Sequence, residues 1–312
     1  MNEPEFVLYL KKHFPFSLGQ GIGDDTSVVK INNHYQLITT DILIENTHFR
    51  LTDTRLDELA MKALAVNQSD IAAMGGKPHY FYLGLGFPHH LGINALKKFF
   101  QGLKKACLKA DLQMAGGDFS HATTLFISIT MVGTARHPVY RNTAKEGDFI
   151  GITGPTGASA LGLKLLQKGK ELKPWTRAHK QVIPQIHEGQ ILSKYVNAMI
   201  DVSDGLIMDL KRILKASGKG GEVEYEKIPV PLKMKKTCRD YDFDELELVL
   251  TGGEDYVLLF TISPENELKL REEKLRYNII GIVDSRLDKL VVSSRGQVIQ
   301  LKNGGYDHFK SS

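Results

Sequence analysis

Carboxylates stand beside glycines or hydroxyls at several separate points of the chain: Gly23-Asp24-Asp25, Thr39-Thr40-Asp41, Gly116-Gly117-Asp118, Asp201-Val202-Ser203-Asp204-Gly205 and Thr251-Gly252-Gly253-Glu254-Asp255. Asp70 adds another, set in a polar island after Asn67, Gln68 and Ser69 within a helical run. One such cluster reads equally well as a solvated turn. Several, each at the edge of an apolar element, suggest one mouth lined with acids. Oxygen donors without a cysteine-histidine cluster favour Mg²⁺ or Mn²⁺ over zinc. The usual partner of several Mg²⁺ ions is a nucleoside triphosphate, whose phosphate charge the metals offset. No serine-histidine-aspartate or cysteine-histidine arrangement is legible from spacing, so phosphoryl transfer by positioning is the reaction class supported.

The first of these acids must be positioned by a hairpin. Thr26 to Ile31 and Tyr35 to Thr40 are β-branched runs separated by Asn32-Asn33, the pattern of two antiparallel strands with a two-residue turn. That turn sets Asp24 opposite Asp41 and Asp25 opposite Thr40. Carboxylates about 4 Å apart repel by roughly 4 kcal/mol at an effective dielectric near 20. A shared proton, an arginine or a divalent cation could offset this. Only a hard cation also gives the Thr39 and Thr40 oxygens a use.

The other elements follow from periodicity. Glu3 to His13 reads as a helix, and Leu56, Leu59, Ala63 and Val66 keep helical spacing up to Gly75-Gly76. Phe81 to Phe87 reads as a strand, Asn94 to Ala110 as a helix, Gln113 to Ala115 as a short strand ending at Gly116-Gly117-Asp118, and Leu125 to Gly133 as a further strand. Periodicity lapses between Arg136 and Gly147, which divides the chain into an N-terminal α/β domain over 1–137 and a C-terminal α/β domain over 138–312. In the second half, Phe149 to Thr153 is a strand, and Ala158 to Gln167, Pro184 to Ala198 and Leu206 to Ala216 are helices. Tyr256 to Ile262 is another strand. The Gly154-Pro155-Thr156-Gly157 loop lacks a Walker lysine and misses the dinucleotide spacing, so it is weak as a phosphate cradle.

At 312 residues and 42% hydrophobic content the chain can bury two cores. A formal charge of +4, spread among acids, implies no dedicated nucleic-acid surface. Cys107 and Cys238 fit neither a disulfide framework nor a zinc site, which agrees with a reducing cytoplasm. Nothing reaches about 18 uninterrupted apolar residues, so no membrane span is expected.

Taken together, GIGDD at 21–25, TTD at 39–41, KALAVNQSDIAAMG at 62–75, GGD at 116–118, VSDGL at 202–206, TGGEDY at 251–256 and GYDHF at 305–309 resemble the thiamine-monophosphate kinases. That family belongs to an ATP-binding superfamily with aminoimidazole ribonucleotide synthetase. The resemblance implies an α/β (α+β) fold of two domains, with a mixed four-stranded N-terminal sheet that pairs in a homodimer. It implies ATP-dependent phosphorylation of thiamine monophosphate to the diphosphate, by direct attack on the γ-phosphorus. By motif, Asp25, Thr39, Thr40, Asp41, Asp70, Asp118, Asp201 and Asp204 would hold Mg²⁺. Gly117, Asp118, Arg141 and Ser203 would contact ATP, with Phe100 flanking the base where the family often has tyrosine. His48, Glu254 and Tyr306 would contact thiamine monophosphate. Another ATP-dependent synthetase of the superfamily and a non-catalytic Mg-nucleotide binder are the alternatives.

Overall fold

The computed structural model describes residues 3–299, so Tyr306 and the 305–309 motif lie outside the described residues. Helix α1 (Glu3–His13) leads into strands β1 (Gly19–Gln20), β2 (Ser27–Ile31) and β3 (His34–Ile44). Then come α2 (Leu56–Ala73), β4 (Lys77–Phe87), α3 (Gly92–Ala110), β5 (Gln113–His121) and β6 (Phe126–Ala135). These six strands form one mixed sheet in the order β1-β2-β3-β6-β4-β5, in which only β4 and β5 run parallel. The family resemblance implies four strands. The two short strands ahead of Asp41 extend the sheet to six.

The hairpin has the expected register, with Ile31 opposite His34 and Ser27 opposite Ile38. Asn32 takes φ 52°, a left-handed conformation that asparagine tolerates. Two details differ. Strand β3 continues to Ile44 because β6 lies along its whole length, so Asp41 is a mid-strand residue opposite Ile129. The β2 ladder begins at Ser27, and ahead of it the Asp24 carboxylate turns to the Gln20 amide and the Arg141 N–H rather than to Asp41. Strand β5 also runs through Gly116-Gly117-Asp118, where the spacing predicts a turn. Glycine serves close approach here. A Cβ on Gly117 would lie 2.0 Å from the Leu83 carbonyl oxygen.

The second half contains β7 (Phe149–Ile152), α4 (Ala158–Gln167), α5 (Trp175–Lys180), α6 (Ile186–Leu192), β8 (Ala198–Asp201) and α7 (Leu206–Ala216). It continues with β9 (Gly221–Glu224), α8 (Leu232–Tyr241), α9 (Glu245–Thr251), β10 (Leu258–Ile262), α10 (Pro264–Leu270), β11 (Asn278–Val283), β12 (Leu290–Ser294) and β13 (Gln297–Val298). Its seven-stranded mixed sheet has the order β13-β12-β9-β11-β7-β10-β8. The helix read from Pro184 to Ala198 is only Ile186–Leu192. The chain turns after Leu192, and Asn197 then fixes it ahead of the sheet: its amide donates to both Asp148 oxygens, its N–H meets the Thr261 carbonyl, and Ala198 enters the strand.

Each sheet buries one apolar cluster, and a third joins them through Ala72, Ala73, Leu192, Met199, Phe260 and Leu270. Helix α2 lies at that junction. It is buried along nearly its whole length, polar residues included. Lys62, Asn67 and Ser69 are therefore obliged to find partners inside.

Candidate active site

Those partners build the site. Strand alternation turns Thr39 and Asp41 toward α2. The Thr39 hydroxyl donates to Asp70 at 2.5 Å, and the Asp41 N–H donates to the Asn67 side-chain oxygen at 3.2 Å. On the other side of the helix, the Ser69 hydroxyl donates to Asp201, at the end of β8, at 2.5 Å. One helix therefore fixes an acid from each sheet. Oxygens of Asp25, Asp70 and Asp201 come within 4.8 Å of one another, close enough for one cation to bind all three.

Burial pushes the Asp41 carboxyl up to about 6, and the charges of Asp25 and Asp204 push in the same direction. Asp70 and Asp201 are also driven well up, first by burial and then by neighbouring acids. One cationic group inside the cluster is Arg141, which donates to both Asp25 oxygens at 2.5 and 3.2 Å, the paired geometry that makes such bonds strong. Arg212 bridges Asp204 and Asp209 at 2.6 Å to each. Thr26, next to Asp25, buries a hydroxyl that has no hydrogen-bond partner. Hard oxygen donors, crowded charge and an orphaned hydroxyl together fit Mg²⁺.

These acids make stability depend on pH. A carboxyl that titrates higher in the folded chain than in the unfolded one costs stability as pH rises between the two values, here from about 4 to 6 for Asp41. The metal-free protein should lose this contribution as pH rises through that window, and Mg²⁺ should restore it. In thermal melts at fixed ionic strength, the Tm gain on adding Mg²⁺ should be small below about pH 5 and several degrees at pH 8. A gain independent of pH would contradict the assignment.

A second group sits beside the first. The 252–256 turn holds two non-glycine residues at positive φ, Glu254 at 63° and Tyr256 at 52°, which marks stored strain. The Glu254 oxygens meet Lys62 Nζ at 2.8 Å and His179 Nδ1 at 3.1 Å, and its N–H donates to the Ser203 carbonyl at 2.7 Å. Asp255 turns the other way and accepts the Gly157 and Ser159 N–H groups at 2.5 and 3.0 Å. It thereby fills the start of α4 with the chain's own carboxylate, which explains why the 154–157 loop makes a poor phosphate cradle.

The chain matches the sequence model of AIR synthase related protein, N-terminal domain, over residues 23–135, and that of the C-terminal domain over 145–292. It is 38% identical to the thiamine-monophosphate kinase of Buchnera aphidicola subsp. Schizaphis graminum, with 99% of each chain covered. It belongs to the thiamine-monophosphate kinase family. Another member, from Aquifex aeolicus, is 36% identical over 77% of this chain and 80% of its own. The structure of AaThiL complexed with AMPPCP and TMP superposes with a TM-score of 0.88 at 31% identity, covering 99% of this chain and 97% of that one. The two-domain α/β fold is that of the family.

The residues that the family resemblance singled out do not all meet. Asp25, Asp41, Asp70, Asp201 and Asp204 form one group, with Thr39, Arg141 and Ser203 beside them. Thr40 points to the opposite face, where its hydroxyl meets that of Thr130 at 2.9 Å. Gly117 and Asp118 lie on β5, three strands across from Asp41 through Ile129 and Leu83. Phe100 is on that side too, its ring edge-on to Phe119 at 5.8 Å. His48 follows β3, and its Nδ1 accepts the Ile44 N–H at 3.1 Å. Sequence reasoning misses Lys62, His179, Asp209 and Arg212. A lysine within the apolar spacing of α2 is the one available signal.

Proposed function

We propose that this chain phosphorylates thiamine monophosphate to thiamine diphosphate with ATP as donor. The observation that carries the reading is the convergence of Asp25, Asp70 and Asp201, from three distant segments, in a member of this family. An ATP analogue and TMP occupy the related AaThiL, which supports the same two substrates here.

Asp25, Asp41, Asp70, Asp201 and Asp204 would hold Mg²⁺ in this reading, with Thr39 as a further oxygen donor, whereas Thr40, turned to Thr130 on the opposite face, and Asp118, on β5, stand apart from this chain's cluster. When bound, Mg²⁺ offsets the triphosphate charge and favours an in-line geometry. A phosphate oxygen of the substrate forms a bond to the γ-phosphorus as the bond from γ-phosphorus to the β-bridging oxygen breaks, and ADP leaves. The attacking phosphate is already an anion, so the site needs no strong general base. In this reading Arg141 and Ser203, beside the acids, donate to triphosphate oxygens, and Glu254, His48 and Tyr306 are assigned to the second substrate on the family motif alone. Helix α2 keeps the acids of both sheets in fixed relation, which is how the chain orients the reactants.

A homodimer is part of the proposal. Gly117 and Asp118 stand roughly 14 Å from Asp41 at ordinary strand spacing, and the Phe100 ring packs on Phe119 of the same strand, so one chain does not gather every assigned nucleotide contact. The sheet face opposite α2 exposes Ile42 and Tyr82 beside Thr40 and Thr130. That apolar exposure supports packing of the face on a second copy. The division into domains over 1–137 and 138–312 and a cytoplasmic location complete the reading. Among the described residues no helix is long and apolar enough to cross a membrane.

The test is direct. Purified protein with ATP and Mg²⁺ should convert thiamine monophosphate to the diphosphate, followed by chromatography of both thiamine species. Folded protein that leaves thiamine monophosphate unchanged at saturating substrate removes the proposed function.

A further inference from the structure

Lys62 is a lysine with only 3% of its side chain exposed, and its ammonium sits between two acceptors. It meets Glu254 Oε1 at 2.8 Å and donates to the backbone carbonyl of His179 at 3.2 Å. His179 then approaches the other Glu254 oxygen at 3.1 Å through Nδ1, with the Ser159 hydroxyl 3.2 Å from the same nitrogen. The carboxylate is thus held from both sides, by α2 of the first sheet and α5 of the second half. About a quarter of the Glu254 side chain, 27%, stays open to solvent.

The placement on α2 gives this meaning. Ser69 lies seven residues after Lys62, two turns on and on the same face, and it holds Asp201. One face of α2 therefore grips both turns that carry the second half's contribution to the site, the end of β8 and the 252–256 turn. Glu254 sits in strained left-handed backbone, and strain persists only where surroundings over-determine it.

We propose that Lys62, together with His179, is a positioning residue for the phosphoryl acceptor, because it fixes the Glu254 carboxylate against α2 at the point where the cationic ring of the substrate docks. This rests on the reading of Glu254 as an acceptor contact. Lys62 itself touches no substrate. It sets where the negative charge stands.

The groups facing Glu254 are Lys62 from α2, His179 from α5, and Asp255 and Tyr256 on its own turn. Burial works against the Glu254 charge, and Lys62 and His179 overcome it to bring the carboxyl down to about 2. With Lys62 gone, burial acts with less opposition. Glu254 then resists ionising, and stability should fall as pH rises above the ordinary carboxylate range.

The experiment compares wild type, Lys62→Met, Lys62→Arg, Glu254→Gln and the double variant Lys62→Met/Glu254→Gln. Lys62→Met should raise KM for thiamine monophosphate about tenfold or more while KM for ATP stays within about twofold. Lys62→Arg should recover much of the loss, and the double variant should be no worse than Glu254→Gln alone. Thermal melts without substrate give an independent readout: the Tm deficit of Lys62→Met should be larger at pH 8 than at pH 4.5. If Glu254→Gln raises KM for thiamine monophosphate and Lys62→Met does not, the positioning role is overturned and the Glu254 reading stands. If Glu254→Gln leaves that KM unchanged, both are overturned. Equal loss toward both substrates, or a Tm deficit independent of pH, also overturns it.

Discussion

Asp41→Asn should lower turnover by about a hundredfold or more while making the metal-free protein more stable. The two effects have one cause. Asp41 is mid-strand, faces α2, and receives the charges of Asp25 and Asp204 across a poorly solvated gap. Its carboxyl is pushed up to about 6. An unperturbed one titrates near 4, and the difference is worth on the order of 3 kcal/mol of folded-state repulsion above pH 6. Asparagine keeps the shape and removes that repulsion. It also removes a charged oxygen that a divalent cation needs. The check is kcat under saturating ATP and thiamine monophosphate, beside Tm in EDTA. Turnover close to wild type would mean that Asp41 binds no essential metal, and a lower metal-free Tm would mean that the acids do not repel as their geometry requires.

Arg141→Ala should act with the opposite sign on the empty protein. The guanidinium is 18% exposed and grips a carboxylate that is 1% exposed, so its removal leaves Asp25 buried without its cation. Breaking a buried pair from one side costs about 3–5 kcal/mol. Added Mg²⁺ should recover a good part of that cost, because it supplies the positive charge that Asp25 lost. Differential scanning fluorimetry with EDTA and with Mg²⁺ reads both quantities in one experiment. A metal-free Tm equal to wild type would show that the ion pair does not support the fold, and Mg²⁺ rescue no larger than for wild type would separate Arg141 from the metal site.

The contrast between these two variants marks what the sequence discloses. The hairpin register is legible because a two-residue Asn32-Asn33 turn and period-two alternation leave little freedom, and it brings the first acids close to the second strand. The same alternation sets Thr40 on the opposite face from Thr39 and Asp41, a signal present in TTD and overridden by reading the three residues as one motif. Gly116-Gly117 reads as punctuation because glycine usually interrupts strands. Here it admits a neighbouring backbone instead. The pairing of Arg141 with Asp25 and of Lys62 with Glu254 is not legible at all. Each pair is separated by more than a hundred residues, and no local periodicity encodes which buried charges will meet after two sheets dock on one helix. Helix lengths in the second half mislead for a related reason: α6 stops at Leu192, and the stretch read as its continuation is instead held by the Asn197–Asp148 contact, a tertiary event.

Helix α2 carries a consequence for how this chain can vary over time. Four of its side chains serve distant segments: Lys62 the 252–256 turn, Asn67 and Asp70 strand β3, and Ser69 the end of β8. Inserting or deleting one residue within a helix swings everything beyond it by about 100°. A surface loop absorbs such an event at little cost, but between Lys62 and Asp70 it would sever several anchors at once. This stretch works as a cam whose phase cannot drift, so indels among functioning descendants belong to the loops and never here.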